Sequence, residues 1–272
     1  MTMGHLRALA VLALAVTAAP AAEPVLEARG GGRVVSSGTA AALAIRVATG
    51  RVILANPFLD GRQKAYEAFP AAALLDAMLG RGWREVPDGE VSFKALDGYE
   101  AHVAAARLAD GGAWLALRDL DRAPAWERLG TRAVDPGPLF LVWDGGRNPD
   151  KGYAWPWQVA SVEAARFEDK YPHLAPRAAG RDSAETRGFS LFRARCVKCH
   201  ALDQEGGSMG PDLGAPRNVT DYLPEAHFKA YVRKPSSFRY TAMPDHEMLG
   251  PKDLDDLWRY LKLKAKEPKS GW

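Results

Sequence analysis

The only two cysteines of the 272-residue chain lie within four positions, in the segment Cys-Val-Lys-Cys-His at residues 196–200. Residues three apart lie almost above one another on a helix, so Cys196 and Cys199 can present their sulfur atoms along one edge. His200 follows directly and points roughly a quarter-turn away from that edge. This spacing constrains the local fold and its chemistry more strongly than any other feature of the chain.

Several chemistries use two neighbouring cysteines, and the surrounding sequence distinguishes them. A structural disulfide would close an unusually small ring, and a thioredoxin-like dithiol needs a βαβ context that this helical, charged segment lacks. A zinc site needs four ligands, and the chain has no second cysteine pair. The Cys-x-x-Cys-His spacing is that of c-type haem attachment. We therefore expect one covalent haem c, bound through Cys196 and Cys199, with His200 on the iron.

The first residues of the chain predict export. Arg7, the apolar run after it and the small residues around Ala22 form the pattern of a secretory signal peptide. The apolar run is shorter than the about 20 residues that a transmembrane helix needs. We expect removal of residues 1–22 and a periplasmic mature protein, the alternative being an uncleaved leader that anchors it to a membrane. The net charge of +3 is too small a basic excess to predict a nucleic-acid partner.

The remaining sequence predicts an α+β protein with two domains. Residues 23–168 alternate short β-like runs, such as 41–55, with turn signals, and one helical pattern begins at Pro70 and stops at Gly80. Residues 169–184 combine two prolines with scattered charge and predict a linker. Residues 185–272 carry helical patterns throughout. We expect a mixed, mainly β N-terminal domain followed by an all-α domain.

Residues 185–266 resemble a class I cytochrome c domain. Gly188 and two phenylalanines precede the cysteine motif, a Gly-Pro-Asp-Leu segment follows it at residues 210–213, and an aromatic-Leu pair lies in the last helix at Tyr260. The resemblance implies that the carbonyl of Pro211 accepts a hydrogen bond from the Nδ1–H of His200. It also implies that the last helix crosses the first.

The resemblance also implies a sixth iron ligand, and Met243 is the expected one. Met243 lies in a Thr-Ala-Met-Pro-Asp segment between two helices, where cytochromes of this class favour Met-Pro. Met209 follows the motif too closely to reach the opposite haem face, and Met248 immediately precedes the last helix. His227 and His246 are the remaining alternatives. Histidine and methionine on the iron would favour electron transfer over ligand chemistry.

Residues 60–168 resemble short members of the sulfite-oxidase-type molybdopterin-binding fold. The resemblance rests on the order and spacing of a helix at 68–78, strands at 91–103 and 112–121, and two segments at 137–146 and 155–167. Catalytic members bind molybdenum through a cysteine thiolate. Cys196 and Cys199 are assigned to haem, so this domain has no cysteine left for molybdenum. We expect a retained scaffold without that metal.

Side chains outside the cysteine motif give weaker indications of a functional site. Trp155 and Trp157 could line a cleft, although core packing is the preferred interpretation, and Asp144 with Arg147 is a weak anion-site candidate. His102 is expected to face solvent or to have its hydrogen bonds satisfied.

Three cations around the motif have two interpretations. Arg193, Arg195 and Lys198 either form a docking patch for an acidic partner or simply face solvent, and a solvated helix face is the preferred interpretation.

The sequence therefore predicts a periplasmic monohaem cytochrome, more an electron carrier than a catalyst, that exchanges electrons with a partner dehydrogenase, oxidase or other cytochrome. Its N-terminal domain would serve as a docking or subunit scaffold. The alternative is an oxidoreductase whose N-terminal domain binds a cofactor or substrate without a cysteine ligand and passes electrons to its own haem. A haem-based sensor is a third possibility, and it requires a labile sixth ligand.

Overall fold

The computed structural model describes residues 23–149, 152–177 and 179–268. The predicted leader, residues 1–22, lies outside these ranges. Two hydrophobic cores form within them, one drawn from residues 26–162 and the other from residues 167–261. Within the same ranges, no helix has the length and apolarity needed to cross a membrane. The chain is α+β, with a β-rich N-terminal part and a helical C-terminal part.

Nine strands of the N-terminal part form two sheets. The strands are β1 Val25–Gly30, β2 Arg33–Thr39, β3 Gly50–Asn56, β4 Arg62–Pro70, β5 Gly89–Ala95, β6 Glu100–Ala104, β7 Ala113–Asp119, β8 Phe140–Trp143 and β9 Val159–Arg166. The first sheet has the order β2-β1-β9-β5-β6, in which only the β1–β9 pair is parallel. The second sheet, β3-β4-β7-β8, is antiparallel throughout.

Four helices accompany these strands: α1 Ala40–Arg46, α2 Ala71–Leu79, α3 Ala105–Ala109 and α4 Phe167–Lys170. The predicted helix corresponds to α2, which follows Pro70 and ends at Gly80, whose positive φ of 72° suits glycine. Leu74 and Leu75 of α2 are buried and lie beside Phe93 of the first sheet and Leu115 of the second. The helix therefore packs against both sheets.

The expectation of β structure throughout residues 41–55 is wrong for its first half. Residues Ala40–Arg46 form α1, and only β3 is a strand. Thr39 caps α1, since its hydroxyl accepts the N–H of Ala42 at 3.3 Å. Four alanines in this helix favour helical backbone even though only Leu43 is buried.

The C-terminal part has three helices and one short ribbon. They are α5 Ala184–Leu191, β10 Ala201–Leu202, β11 Glu205–Gly206, α6 Glu225–Arg233 and α7 Pro251–Lys264. The antiparallel β10–β11 pair is a small correction to the all-α expectation. This ribbon forms because the chain reverses immediately after the cysteine motif, through Asp203 and Gln204 at positive φ.

The first and last helices of this part cross at Gly188. A Cβ atom at Gly188 would lie 2.1 Å from the carbonyl oxygen of Asp256 and 2.7 Å from Cβ of Tyr260. The Phe192 and Tyr260 rings pack beside the crossing, with centroids 5.5 Å apart. Only glycine permits the two backbones to approach this closely.

The segment predicted as a linker packs along the C-terminal part. Tyr171 and Leu174 are buried with the C-terminal core. The hydroxyl of Tyr260 donates to the carbonyl of Leu174 at 2.8 Å, and Lys264 Nζ donates to the carbonyl of His173 at 2.5 Å. This stretch is thus fixed at several points, while the domain boundaries at 168 and 185 stay predictions.

Replacing Gly188 with alanine should destabilise the C-terminal part, because the new methyl group overlaps the α7 backbone. We expect the free energy of unfolding to fall by about 1–3 kcal/mol, measured in urea by circular dichroism. Gly82→Ala is the matched control, since a Cβ there meets nothing within 4 Å. Equal stability of the two variants would contradict the close crossing.

The carboxylate of Asp256 predicts a pH dependence. Hydrogen bonds from Arg187 at 2.7 and 2.9 Å hold the pKa of Asp256 below its usual range. A depressed folded-state pKa adds stability above the unfolded pKa, near 3.9, and this stability is lost as pH falls through the folded value. Arg187→Gln should therefore lower stability at neutral pH, with the deficit shrinking below about pH 4. A deficit that does not depend on pH, or an equal one in exposed Arg181→Gln, would contradict the linkage.

Candidate functional site

The cysteine motif begins after α5, at the end of a π-helical turn. Residues Phe192–Cys196 form one turn of π-helix, and the N–H of Val197 donates to the carbonyl of Phe192 at 3.0 Å. The N–H groups of Cys199 and His200 then both donate to the carbonyl of Cys196, at 3.1 and 2.9 Å. Such single π-turns occur frequently at functional sites. Here the turn ends at the first cysteine.

The two thiols are not joined to each other. Burial raises the pKa of Cys196 to about 12, with the neighbouring Cys199 adding to the rise. Burial and then the charge of Asp97 raise the pKa of Cys199 to about 11. Both sulfurs are therefore protonated at neutral pH.

The imidazole of His200 is fixed by one hydrogen bond. Its Nδ1 lies 2.8 Å from the carbonyl oxygen of Pro211, the contact that the cytochrome resemblance implies. A carbonyl can only accept, so the proton resides on Nδ1 and the lone pair of Nε2 is left for a metal. Burial lowers the pKa of His200, which favours the neutral, metal-binding form. The roles of His200 as ligand and Pro211 as its support stay predictions.

Gly210 lies against the His200 ring. A Cβ at Gly210 would be 2.5 Å from Cε1 and 2.7 Å from Nδ1 of His200. The N–H of Gly210 also donates to the carbonyl of Cys199 at 2.7 Å. The glycine of the Gly-Pro-Asp-Leu segment is therefore required for the loop to approach the imidazole.

The aspartate of the same segment holds the loop together. The Oδ1 atom of Asp212 accepts the N–H groups of Asp203, Gly214 and Ala215 at 2.7–3.0 Å, and its Oδ2 accepts that of Gln204 at 2.7 Å. One carboxylate thus joins the β10–β11 turn to the loop that supports His200.

Met243 is partly buried and packs against the C-terminal core. Its N–H donates to the hydroxyl of Thr241 at 3.1 Å. The surrounding loop is tied to the end of α6, since Ser236 donates to the carboxylate of Asp245 through both its N–H and its hydroxyl. The segment has no regular secondary structure, yet it is anchored on the side of α6.

The alternative ligands differ in their surroundings. The Met209 sulfur lies 3.8 Å from Cys199 Sγ, on the side of the motif itself. Met248 is 63% exposed, and the exposed His227 contacts the rings of Tyr231 and Phe238. His246 is half-buried, and burial, then the charges of Arg195 and His200, lower its pKa. His246 is therefore the strongest rival of Met243.

These donors match what a c-type haem requires. Two thiols three residues apart can form the thioether links, and the free Nε2 of His200 and a thioether sulfur suit the two axial positions of the iron. Among the described residues, no group of three or more His, Cys, Asp or Glu side chains is arranged to hold a metal ion directly.

The N-terminal candidates from the sequence do not form a common site. Trp155 is buried in the core, and its Nε1 donates to the carbonyl of Arg147 at 3.1 Å. Trp157 packs against Phe58 in the loop before β9, not on a strand. Asp144 and Arg147 pair with each other at 2.5 Å. Core packing therefore accounts for the tryptophans.

His102 and Arg193 lie between the two parts of the chain. His102 is enclosed by the rings of Phe167 and Tyr171, and burial lowers its pKa to about 4. Arg193 bridges Glu90 at 3.0 Å and Glu168 at 2.8 Å. It also stacks on Phe167, 4.1 Å from the ring centroid. Neither interpretation of Arg193 from the sequence anticipated this position, because both of its partners are distant in the chain.

A family model described as cytochrome c oxidase, cbb3-type, subunit III matches residues 183–261. No curated protein matches the chain. The matched residues cover α5, the cysteine motif, the Met243 loop and most of α7. The C-terminal part of the chain is therefore a cytochrome c domain, which implies haem binding and electron transfer with redox partners.

Replacing Gly210 with alanine should displace the His200 ring, because the methyl group would overlap it. In the chain without haem, we expect the slowly exchanging Nδ1–H signal of His200 to disappear from nitrogen–proton correlation spectra. Gly180→Ala, where a Cβ meets nothing within 4 Å, should keep it. An unchanged signal in Gly210→Ala would contradict the tight contact.

Proposed function

We propose that this protein is a periplasmic monohaem c-type cytochrome that transfers electrons to or from a partner oxidoreductase. Cys196 and Cys199 would hold the haem through thioether bonds, with His200 and Met243 on the two faces of the iron. The bound haem would supply a one-electron carrier of the His/Met type. The chain's own residues orient the ligands, since the carbonyl of Pro211 fixes the imidazole of His200.

One observation carries this proposal. The Nδ1–H of His200 is committed to the carbonyl of Pro211 at 2.8 Å, directly after two unjoined cysteines in a turn. A hydrogen bond at Nδ1 selects the tautomer whose Nε2 binds metal, and it also orients the ring. The arrangement supports an iron ligand whose position is fixed before the cofactor binds.

The surroundings of the motif support electron transfer over ligand chemistry. A methionine opposite His200 would leave no open position on the iron, and small structural change on reduction favours rapid exchange of electrons. The sequence leader supports export to the periplasm, where dehydrogenases, oxidases and other cytochromes are the expected partner class.

The N-terminal domain would act as a docking or subunit scaffold. Its mixed sheets with the buried helix α2 are compatible with the sulfite-oxidase-like fold that its sequence resembles. We propose that this scaffold has lost cysteine-bound molybdenum, since both cysteines of the chain are needed for haem.

A cleft favours a second candidate function. A space of about 840 Å³ opens between the first sheet and the β10–β11 turn, lined by polar groups that include Lys94, Lys170 and Glu163. Its size is that of small-molecule sites, which often lie between domains. It supports an oxidoreductase whose N-terminal domain binds a cofactor or substrate and passes electrons to its own haem.

Elemental and pterin analysis of the purified holoprotein separates the two functions. The carrier should contain one iron per chain and neither molybdenum nor pterin. Stoichiometric molybdenum or an organic cofactor would favour the oxidoreductase. Mass spectrometry under native conditions identifies such a cofactor if it is retained.

Met243→Ala should remove the weak sulfur-to-iron charge-transfer band from the spectrum of the oxidised protein, because the axial thioether is lost. The reduction potential should fall at the same time. Met248→Ala, at an exposed methionine, is the control and should keep both. A band that persists in Met243→Ala would exclude Met243 as the ligand. A wild-type spectrum without the band, together with a reduction potential that changes in His246→Ala and not in Met243→Ala, would identify His246 instead.

A further inference from the structure

The turn between β5 and β6 of the N-terminal domain reaches the cysteine motif. Its residues 97–100, named here the 97–100 turn, contact Lys198, directly before Cys199, and Ser208 in the loop that follows the motif. The N–H of Glu100 donates to the carbonyl of Lys198 at 2.7 Å, and the N–H of Ser208 donates to the carbonyl of Gly98 at 2.9 Å. Two backbone hydrogen bonds thus join residues about a hundred positions apart.

The turn itself is a fixed element. Asp97 accepts the N–H of Tyr99 at 2.9 Å, and the N–H of Ala95 donates to the carbonyl of Tyr99 at 2.8 Å. Gly98 has a positive φ of 88°, and a Cβ there would lie 2.4 Å from Ser208 Oγ and 3.0 Å from Met209 N. The turn is therefore in backbone contact with the loop that returns to Cys199.

Polar contacts deeper in the interface hold the turn in place. Glu100 is almost fully buried and pairs with Lys170 at 2.7 Å, while Arg193 of the π-turn pairs with Glu90 of β5. The Glu100–Lys170 pair is costly to separate, because Glu100 would be left as an uncompensated buried charge, whereas Arg193 and Glu90 are partly exposed. The 97–100 turn is thus held against the motif by contacts on both domains.

We propose that the 97–100 turn forms part of the wall of the haem site, so that the N-terminal domain covers the Cys199 side of the cofactor and sets its reduction potential. This inference rests on the proposed function. Excluding water from one side of the haem disfavours the more highly charged oxidised state and raises the potential. Tyr99, partly buried in this turn, and Gly98 act as positioning residues.

The covered side also restricts the route of electrons. A partner protein that exchanges electrons with the haem would approach a face other than the one closed by Gly98 and Tyr99. The N-terminal domain would then be a fixed part of the redox centre and not only a flexible docking module.

Gly98→Ala in the full-length exported protein tests this directly. The methyl group would overlap Ser208 and weaken the two backbone hydrogen bonds between the turn and the motif. Because a buried N–H without its partner is costly, we expect hydrogen exchange at the amides of Glu100 and Ser208 to become on the order of tenfold faster. The reduction potential should fall as water reaches the haem. Gly111→Ala is the matched control, because Gly111 has φ of 85° and a Cβ there meets nothing within 4 Å; it should change neither quantity.

A second variant keeps the test decisive if Gly98→Ala does not fold. Tyr99→Ala retains the backbone bonds and removes the ring, so the potential should fall without faster exchange at Ser208. Covalent haem with an unchanged potential in the folded variants would overturn this inference alone. A wild-type chain without covalent haem would overturn the proposed function as well.

Discussion

The hydrogen bond between Nδ1 of His200 and the carbonyl of Pro211, 2.8 Å long, orders the rest of the cytochrome site. It fixes the tautomer of the imidazole and leaves the lone pair on Nε2. The loop that provides the carbonyl can approach only because Gly210 has no side chain. Asp212 then ties this loop to the β10–β11 turn through four backbone N–H groups.

The second constraint on the molecule is the contact between its two parts. The cysteine motif lies against the β5–β6 turn through backbone hydrogen bonds at Gly98 and Glu100. Ion pairs of Lys170 and Arg193 surround that contact. The β-rich N-terminal part is thus attached directly to the cysteine motif.

Local sequence patterns predicted the elements whose stability is local. The helix α2 agrees with its helical periodicity and its proline and glycine signals, and the strands β5 and β6 overlap the strand segment expected at 91–103. Residues Ala40–Arg46 were predicted incorrectly because a short apolar run fits either a strand or a helix. The N-cap at Thr39 and the alanines favour a helix at these residues. The spacing of the cysteine motif indicated haem attachment, and the resemblance to class I cytochromes implied the contact between His200 and Pro211.

The interface between the two parts was beyond prediction from one sequence. His102 alternates with apolar neighbours like an ordinary strand residue, and nothing nearby indicates that Phe167 and Tyr171 will enclose it. Arg193 resembles a solvated helix residue until the fold brings Glu90 to it. Such contacts arise from the packing of distant segments, and local sequence propensity does not predict them. The Met243 loop is similar, since its distance from His200 in the chain leaves His246 as a rival.

Covalent attachment of haem at the two cysteines can be measured from the mass of the intact exported protein. We expect the mass of the mature polypeptide plus one haem, and colour that stays with the protein in acidic acetone. The bare polypeptide mass, or pigment that the solvent extracts, would contradict covalent attachment at Cys196 and Cys199.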